Sequence, residues 1–270
     1  DHRDLHSFPT RRSSDLCAVS YNDLTDKDQI VNKDAVSMLV SLGIIEGKPD
    51  GSYAPTENVD RAQMAKMLSV IMNKGVDNSA LYQSVNSGLT DITSHWAKGH
   101  INYCYTTGII AGRGTGTFDP SATVTALEAA KMLLVAVGYD PAIEGFEGAD
   151  WAINVSVRAD EQGIFEGFTK DLSAPLNRDD AALLIYNALD VEMIQSYTTN
   201  NYPIAYSDHR TILADKYGVI KVQGVVVANE WASLASDDGD AALKEGKTTI
   251  YNGEGIFSTT GNTTVSKEDA

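Results

Sequence analysis

Apolar residues recur at helical spacing in paired segments, and a glycine-rich loop separates the two members of each pair. One face of the helix predicted to begin at Trp96 carries Ala97, Ile101, Cys104 and Tyr105. Gly108 follows where a helix C-terminus needs a residue that accepts a positive φ. A second apolar helix is predicted from Ala126 to Val137, and Thr125 and Glu128 have capping-box spacing at its start. The unit is therefore a helix, a glycine loop and a capped helix.

This unit occurs three times along the chain. The glycine loops begin at Gly43, Gly108 and Gly163 and run to Pro55, Pro120 and Pro175. The starts of the second helices are Asp60-Arg61, Thr125-Ala126 and Asn177-Arg178. Repetition at a period of about 50 to 65 residues predicts units that bury their apolar faces against one another.

These residues carry a resemblance to proteins with S-layer homology modules. The second module has Asp91, His95-Trp96-Ala97, the Gly108 loop, Phe118-Asp119-Pro120 and Thr125. The first has Tyr21, Asp23-Leu24, the Gly43 loop, Tyr53-Ala54-Pro55 and Arg61, and the third has Trp151-Ala152, the Gly163 loop and Arg178. We name residues 21–72 module 1, residues 89–138 module 2 and residues 150–189 module 3. The resemblance implies a mainly α fold of three helix–loop–helix modules with pseudo-threefold symmetry.

Module 3 departs most from the family pattern. It lacks the early aromatic-x-Asp element before Trp151, and its turn from Pro175 to Arg178 is three residues shorter than the turn from Pro55 to Arg61. These differences predict a distorted or shared groove at this module.

The two ends of the chain differ from the modules. Residues 1–16 lack the apolar run of a signal peptide and resemble translated adapter sequence, so we exclude them from the fold. A β-rich domain is predicted from 206 to 270, with strands at Tyr217–Ala228, Thr248–Tyr251, Gly255–Ser258 and Thr263–Val265. We expect this domain to be incomplete at Ala270.

Charge and cysteine content exclude several functions. The formal net charge of -16 argues against nucleic acid as a partner, because such binding depends on many Lys and Arg contacts to phosphate. No stretch is long and apolar enough to predict a membrane span. The two cysteines, Cys17 and Cys104, do not indicate a disulfide framework, and Cys104 is predicted to be a small buried hydrophobe.

The resemblance implies non-covalent attachment of a secreted bacterial protein to an acidic, pyruvylated secondary wall polysaccharide or to a peptidoglycan-linked glycan, with other S-layer subunits as further partners. Arg61 and Arg178 are the candidate ligands for the polymer's carboxylate. Each is predicted in the first turn of a helix, where its charge opposes the helix dipole unless an anion docks at free N–H groups. Module 2 has Ala126 at this position, which predicts a weak or silent site there.

Three further pairs of residues match family positions, and each pair has two interpretations. Trp96 and Trp151 can stack on a sugar ring or anchor the packing of helices. Asp23 and Asp91 can bind sugar hydroxyls or cap a local backbone turn. Gly47 and Gly112 can admit a ligand close to the backbone or only permit a turn.

The sequence predicts no catalytic set, metal site or cofactor. The loop from Glu46 to Glu57 has an EF-hand-like spacing, but Lys48 stands where an oxygen ligand is required. Two alternatives to a simple wall anchor remain open. The modules can anchor an enzyme, such as a glycan hydrolase, whose catalytic domain lies beyond Ala270. They can also belong to a purely structural S-layer or adhesin subunit.

Overall fold

The computed structural model describes residues 20–220, 224–229, 243, 247–251 and 256–258. The chain divides into two compact units, of which one ends at Tyr217 and the other contains the chain from Gly218 onwards. Within the described residues, the first unit holds seven α-helices and a two-stranded sheet, and the second holds a three-stranded antiparallel sheet. The protein is mainly helical, as the sequence predicts. None of the described helices is both long enough and apolar enough to cross a membrane.

Six helices form the three predicted pairs, and a short seventh helix follows them. Their bounds are α1 Lys33–Ser41, α2 Arg61–Met72, α3 Lys98–Thr106, α4 Ala126–Val137, α5 Trp151–Glu161, α6 Arg178–Ala188 and α7 Ile212–Tyr217. Short 3-10 helices occupy Tyr21–Asp23, Lys27–Gln29, Ser79–Tyr82 and Thr90–Ile92. The predicted capping box is confirmed at Thr125, a second one is present at Asp60, and Asn177 caps α6 through its side chain alone.

The first helix of each pair ends on a glycine in the left-handed region. Gly43, Gly108 and Gly163 have φ values of 70°, 78° and 69°. The residue after each glycine donates its N–H to a carbonyl five residues back, as Ile109 does to Cys104 at 2.9 Å. Because an L side chain resists this conformation, these glycines fix where each loop begins.

A closed ring of backbone hydrogen bonds joins the residues that precede the three second helices. The N–H of Val59 donates to the carbonyl of Leu176 at 2.8 Å, Leu176 donates to Val124 at 2.8 Å, and Val124 donates to Val59 at 2.9 Å. All three side chains are buried. The pseudo-threefold arrangement therefore closes on itself at this ring.

Helix packing follows the same circular order. α2 packs on α3, α4 packs on α5, and α6 packs back on α1. The last contact is reinforced by Asp179 of α6, whose carboxylate accepts from the backbone N–H groups of Val31 and Asn32 at the start of α1, at 3.3 Å each. Each module thus covers the apolar face of its neighbour, and the first and third modules complete the circle.

The alignment of module 3 from sequence is wrong by three residues after its glycine. The carbonyls of Pro55 and Pro120 accept from the second residue of a neighbouring helix, and in module 3 Leu172 makes this contact with Leu127 at 3.1 Å. Leu172, not Pro175, is therefore the structural equivalent of the two prolines. The glycine loop of module 3 is therefore three residues shorter than the other two loops. The turn before α6 has the same length as the turn before α2.

The β-rich region begins later than the predicted boundary at 206. Residues Ile212–Tyr217 form α7, with Thr211 accepting from the N–H of Ala214 at 3.1 Å, so the strand predicted from Tyr217 is wrong in its first part. β1 Ile194–Tyr197 and β2 Pro203–Ala205 form an antiparallel hairpin in the first unit that the sequence did not predict.

The second unit contains β3 Val225–Ala228, β4 Thr249–Tyr251 and β5 Ile256–Ser258, with β4 between the other two strands. β4 and β5 confirm the strands predicted at Thr248–Tyr251 and Gly255–Ser258. The predicted strand at Thr263–Val265, the residues predicted as a leader and Cys17 lie outside the described residues.

Candidate functional site

Two equivalent inter-module contacts are each filled by an arginine. We call the contact between the start of α2 and the loop of module 2 the module 1–2 slot. There the Nε of Arg61 donates to the carbonyl of Phe118 at 2.8 Å, and Nη2 donates to the carbonyl of Ala111 at 2.9 Å. The guanidinium carbon lies 4.4 Å from the centroid of the Phe118 ring. Arg61 therefore joins module 1 to module 2 through backbone carbonyls and an aromatic face.

Arg61 is almost fully buried, with 4% of its surface exposed. Burial, with a smaller effect from the nearby charge of Arg113, lowers the pKa of Arg61 to about 10, while Glu128 and Asp119 act in the opposite direction. The side chain consequently stays protonated at neutral pH. Its cation is held by carbonyl oxygens rather than by a directly bonded carboxylate.

The module 3–1 slot, between the start of α6 and the loop of module 1, repeats this arrangement. Arg178 donates from Nε to the carbonyl of Tyr53 at 2.8 Å and from Nη2 to the carbonyl of Glu46 at 3.2 Å. Its guanidinium carbon lies 4.9 Å from the Tyr53 ring centroid, and the Tyr53 hydroxyl donates to the carbonyl of Arg178 at 2.7 Å. Unlike Arg61, Arg178 is only half-buried.

The module 2–3 slot has the same backbone position but different side chains. Ala126 replaces the arginine and is fully buried. With the corrected alignment, Lys170 takes the place of Phe118 and Tyr53, and its ammonium group pairs with Asp180 of the same module. The carbonyl of Glu166, at the position of Ala111, accepts from the Nδ2 of Asn187 at 2.9 Å. The module 2–3 slot thus differs from the other two slots at three points: the arginine, the aromatic ring and the carbonyl that would accept from the arginine.

The expectation of free N–H groups at the helix starts is wrong. The first two N–H groups of α2 donate to the carbonyls of Ala122 and Pro120, and those of α6 donate to Glu57 and Pro55, at 2.9 to 3.1 Å. The next N–H in each helix donates to its capping side chain. Because the backbone of the neighbouring module occupies these donors, they are not available to an anion.

The early aspartate of module 1 is Asp26, and the match of Asp23 to Asp91 is wrong. The carboxylate of Asp91 accepts from the N–H groups of Phe118 and Asp119 at 2.9 and 2.7 Å. Asp26 accepts in the same way from Tyr53 and Ala54, at 2.7 and 2.8 Å. Asp23 instead closes a capping box with Ser20 on a short 3-10 helix. The backbone-capping interpretation accounts for Asp91 and Asp26, and a leucine-x-Asp match at Leu24 would have found the second.

The two tryptophans occupy equivalent positions but differ in environment. Trp96 has 56% of its surface exposed and lies beside His95, with ring centroids 5.6 Å apart. Trp151 is half-buried under Lys131, whose Nζ lies 5.7 Å from the ring centroid. The exposure of Trp96 argues against a role as a packing anchor. The indole of Trp96 is accessible to a ligand.

The loop glycines Gly47 and Gly112 do not form left-handed turns. Neither Gly47 nor Gly112 has a positive φ. A Cβ at Gly112 would lie 2.8 Å from the carbonyl oxygen of Thr117, so a side chain there would force the loop apart. Gly112 therefore allows the two sides of the loop to approach each other, and this approach presents the Ala111 carbonyl to Arg61.

The remaining sequence candidates have structural roles. Cys104 is buried, donates to the carbonyl of Ala65, and has its thiol pKa raised by burial, as a small buried hydrophobe would. In the loop tested for calcium, Lys48 pairs with Glu57. Within the described ranges, no group of three or more His, Cys, Asp or Glu side chains has the arrangement of a metal site.

The S-layer homology domain matches this chain at residues 20–65 and 88–130. The two segments contain α1 with the start of α2, and α3 with the start of α4, so each includes one loop that accepts an arginine. Modules 1 and 2 are therefore the parts of the chain that are similar to S-layer homology domains. Module 3 lies outside both matched segments and stays a prediction.

The chain is also similar to parts of larger surface proteins. It is 26% identical over 234 residues to a cell surface protein of Thermoanaerobacter kivui, covering 86% of this chain and 28% of that protein. It is 32% identical over 113 residues to an S-layer protein of Bacillus licheniformis, covering 42% and 12%. It is 28% identical over 188 residues to an exoglucanase of Acetivibrio thermocellus, covering 64% and 16%. The chain spans less than a third of each relative, and the matches support a role in anchoring surface proteins to the cell wall.

Proposed function

We propose that residues 21–189 attach a secreted bacterial surface protein, without a covalent bond, to an acidic, pyruvylated wall polysaccharide. The observation that carries this proposal is which groups the two slot arginines, Arg61 and Arg178, are bonded to. Both guanidinium groups bind backbone carbonyls and an aromatic ring, and among the described residues no carboxylate is bonded to either of them. A positive charge fixed at an inter-module contact favours a carboxylate-bearing sugar, even in a chain with a formal net charge of -16.

The two arginines have different parts in this mechanism. Arg178 is half-buried, so its guanidinium can reach a ligand carboxylate and bind it in a planar, two-bond geometry. Arg61 is nearly enclosed, and its contribution is to hold the loop of module 2 in place and to supply positive potential. The exposed face of Trp96 adds a surface on which a sugar ring packs. Several weak contacts along one polymer then add up through avidity.

Removing the guanidinium of Arg178 is the sharpest test. We expect Arg178→Ala to weaken binding to purified wall polysaccharide by about 1 to 3 kcal/mol, the range for losing a hydrogen bond to a charged group. Arg61→Ala is expected to weaken binding less, because the enclosed guanidinium acts only through the loop it holds and through its potential, and the stability of this variant is measured in parallel. Binding is measured by sedimentation with wall sacculi, before and after removal of the pyruvyl groups.

Lys170→Ala provides the matched control, since it removes a cation from the module 2–3 slot, where no arginine is present. We expect this variant to bind as the unchanged chain does. Unaltered sedimentation of a folded Arg178→Ala variant, or equal binding to polymer without pyruvyl groups, would contradict the proposed mechanism.

The similarity to an exoglucanase favours one version of the proposal, in which the modules anchor an enzyme. The similarity to an S-layer protein favours another, in which they anchor a structural subunit. Sequencing the gene beyond the codon for Ala270 distinguishes the two: a hydrolase domain supports the first, and β repeats alone support the second. In both versions the modules act by binding.

A further inference from the structure

The segment that follows module 3, residues 190–217, turns back across the first unit and contacts all three modules. We call this segment the strap; it contains the β1–β2 hairpin and α7. Its first contact is with the end of module 2. Gly138, with a φ of 115°, lets the backbone of Ile194 pass so closely that a Cβ at Gly138 would lie 2.5 Å from the Ile194 carbonyl oxygen.

The second contact ties the hairpin to the loop between modules 2 and 3. The hydroxyl of Tyr197 accepts from the N–H of Asp140 at 2.9 Å and donates to Oε1 of Glu144 at 2.9 Å. The Glu144 side chain has only 7% of its surface exposed, and its other oxygen pairs with Arg158 of α5 at 2.9 Å. The tyrosine therefore joins a buried ion pair that already links the loop to module 3.

The third contact is made by α7 with modules 3 and 1. The N–H of Leu213 donates to the carbonyl of Leu189 at 2.9 Å, and the side chains of Ile212 and Leu213 are buried. The hydroxyl of Tyr217 donates to the carbonyl of Ile71, in the last turn of α2, at 3.2 Å. Tyr217 also lies against Gly75, just beyond α2. The last residues of the strap thus dock on module 1, more than a hundred positions away in sequence.

We infer that the strap is a clasp that holds the circle of modules closed and carries load into module 1. The strap is covalently continuous with module 3 and docks non-covalently on module 1, so it adds a second contact between these two modules. Along the chain, the residues from Gly218 onwards follow α7 directly. A pull from that side therefore acts first on the α7–α2 contact, and it reaches α6 only after this contact is lost. The load depends on the proposed anchoring function, whereas the closure of the circle does not.

Force spectroscopy of the full chain, held at its two ends, tests the clasp. Release of the strap alone would lengthen the chain by about 28 residues, roughly 100 Å when extended. In the unchanged protein we expect this release to require the force that also unfolds the modules. In Tyr217→Ala we expect it as a separate, earlier step at lower force.

Tyr202→Ala is the matched control, because Tyr202 lies on the same strap at the hairpin turn with 69% of its surface exposed. It is expected to behave as the unchanged chain. Tyr217→Phe, which removes only the hydroxyl, gives the same comparison if the alanine variant folds poorly.

Hydrogen exchange without load provides a second readout. In Tyr217→Ala we expect the amide of Leu213 and the last turn of α2 to exchange about tenfold faster, with no change in Tyr202→Ala. Equal exchange and equal release forces in both variants would overturn the inference. The two proposals fail in different experiments. If Tyr217→Ala changes neither the release force nor the exchange, the clasp is wrong. If Arg178→Ala does not change sedimentation with wall sacculi, the anchoring function is wrong.

Discussion

The module 1–2 slot and the module 2–3 slot share a backbone arrangement and differ in the side chains that fill it. In the first, Arg61 spans the contact and lies on Phe118. In the second, Ala126 and Lys170 occupy the equivalent positions, and Asn187 takes up the carbonyl that an arginine would bind. The circular hydrogen bonds are the same in both. The backbone arrangement of this repeat therefore does not require a cation at the slot.

The helix interfaces show a second difference of the same kind. Where α2 meets α3, the Oγ of Ser69 lies 2.6 Å from Nδ1 of His100, and both residues are buried. The equivalent positions where α4 meets α5 are Leu134 and Val155, both fully buried. One interface between modules is thus partly polar and titratable, and the other is apolar.

The largest effect is expected from removing the aromatic ring of the module 1–2 slot. Phe118 is fully buried and supports Arg61, so Phe118→Ala is expected to destabilise the chain by about 3 to 5 kcal/mol. The equivalent change in the other slot, Lys170→Ala, is expected to cost less, about 1 to 2 kcal/mol, because the Lys170 side chain is 57% exposed although its partner Asp180 is largely buried. Urea unfolding measures both, and similar losses of stability would show that the two slots are not different in the way described.

A smaller effect is expected when the arginine slot is rebuilt between modules 2 and 3. Ala126→Arg alone overpacks a buried position and places a cation near Lys170, so we expect a loss of about 1 to 3 kcal/mol. Adding Lys170→Phe supplies the missing ring, and the two changes are expected to couple favourably by about 1 kcal/mol. A double-mutant cycle measures the coupling. A value of zero would mean that the aromatic position does not support the arginine.

Acid is expected to weaken the α2–α3 interface and not the α4–α5 interface. Burial lowers the pKa of His100 below its ordinary value of 6.5, against the opposing effect of Asp77 and with a smaller effect from Lys66 in the same direction as burial. The unfolded chain then binds more protons, so stability falls as pH drops through 6.5 and levels off below the folded-state pKa.

The paired change Ser69→Leu with His100→Val, which copies the residues of the apolar interface, is expected to remove this contribution. The check is thermal unfolding from pH 8 to pH 5 of both proteins. Parallel curves over that range would rule out His100 as the source of the pH dependence.

The smallest change in stability is expected at Trp96. Because its indole is largely exposed, Trp96→Ala is expected to alter the free energy of unfolding by no more than about 0.5 kcal/mol. Loss of stacking on a sugar is nevertheless expected to weaken wall binding by about 1 kcal/mol. Sedimentation and unfolding are measured on the same preparation, and a Trp96→Phe variant should retain most of the binding. A large loss of stability with unaltered binding would identify Trp96 as a packing residue after all.

Local features of the sequence predicted the helices and the loop starts. The capping residues Asp60 and Thr125 and the glycine at position 108 act on backbone groups within a few residues of themselves. Three copies of such a pattern also indicated a repeat. Matching one repeat to another was less secure. Pro175 was matched in place of Leu172 because the glycine loop of module 3 is three residues shorter, and Asp23 was matched in place of Asp26 because two aspartates lie three positions apart.

By itself, the sequence determined where the six module helices lie, how often the unit recurs, and which positions carry a cation. Only the tertiary structure decided that the helix-start N–H groups are already occupied, that Arg61 is buried while Arg178 is half-exposed, and that the strap returns to module 1. The physical reason is distance along the chain. A cap or a left-handed glycine is set by its immediate neighbours, whereas the bond from Val59 to Leu176 joins residues that meet only when all three modules have packed.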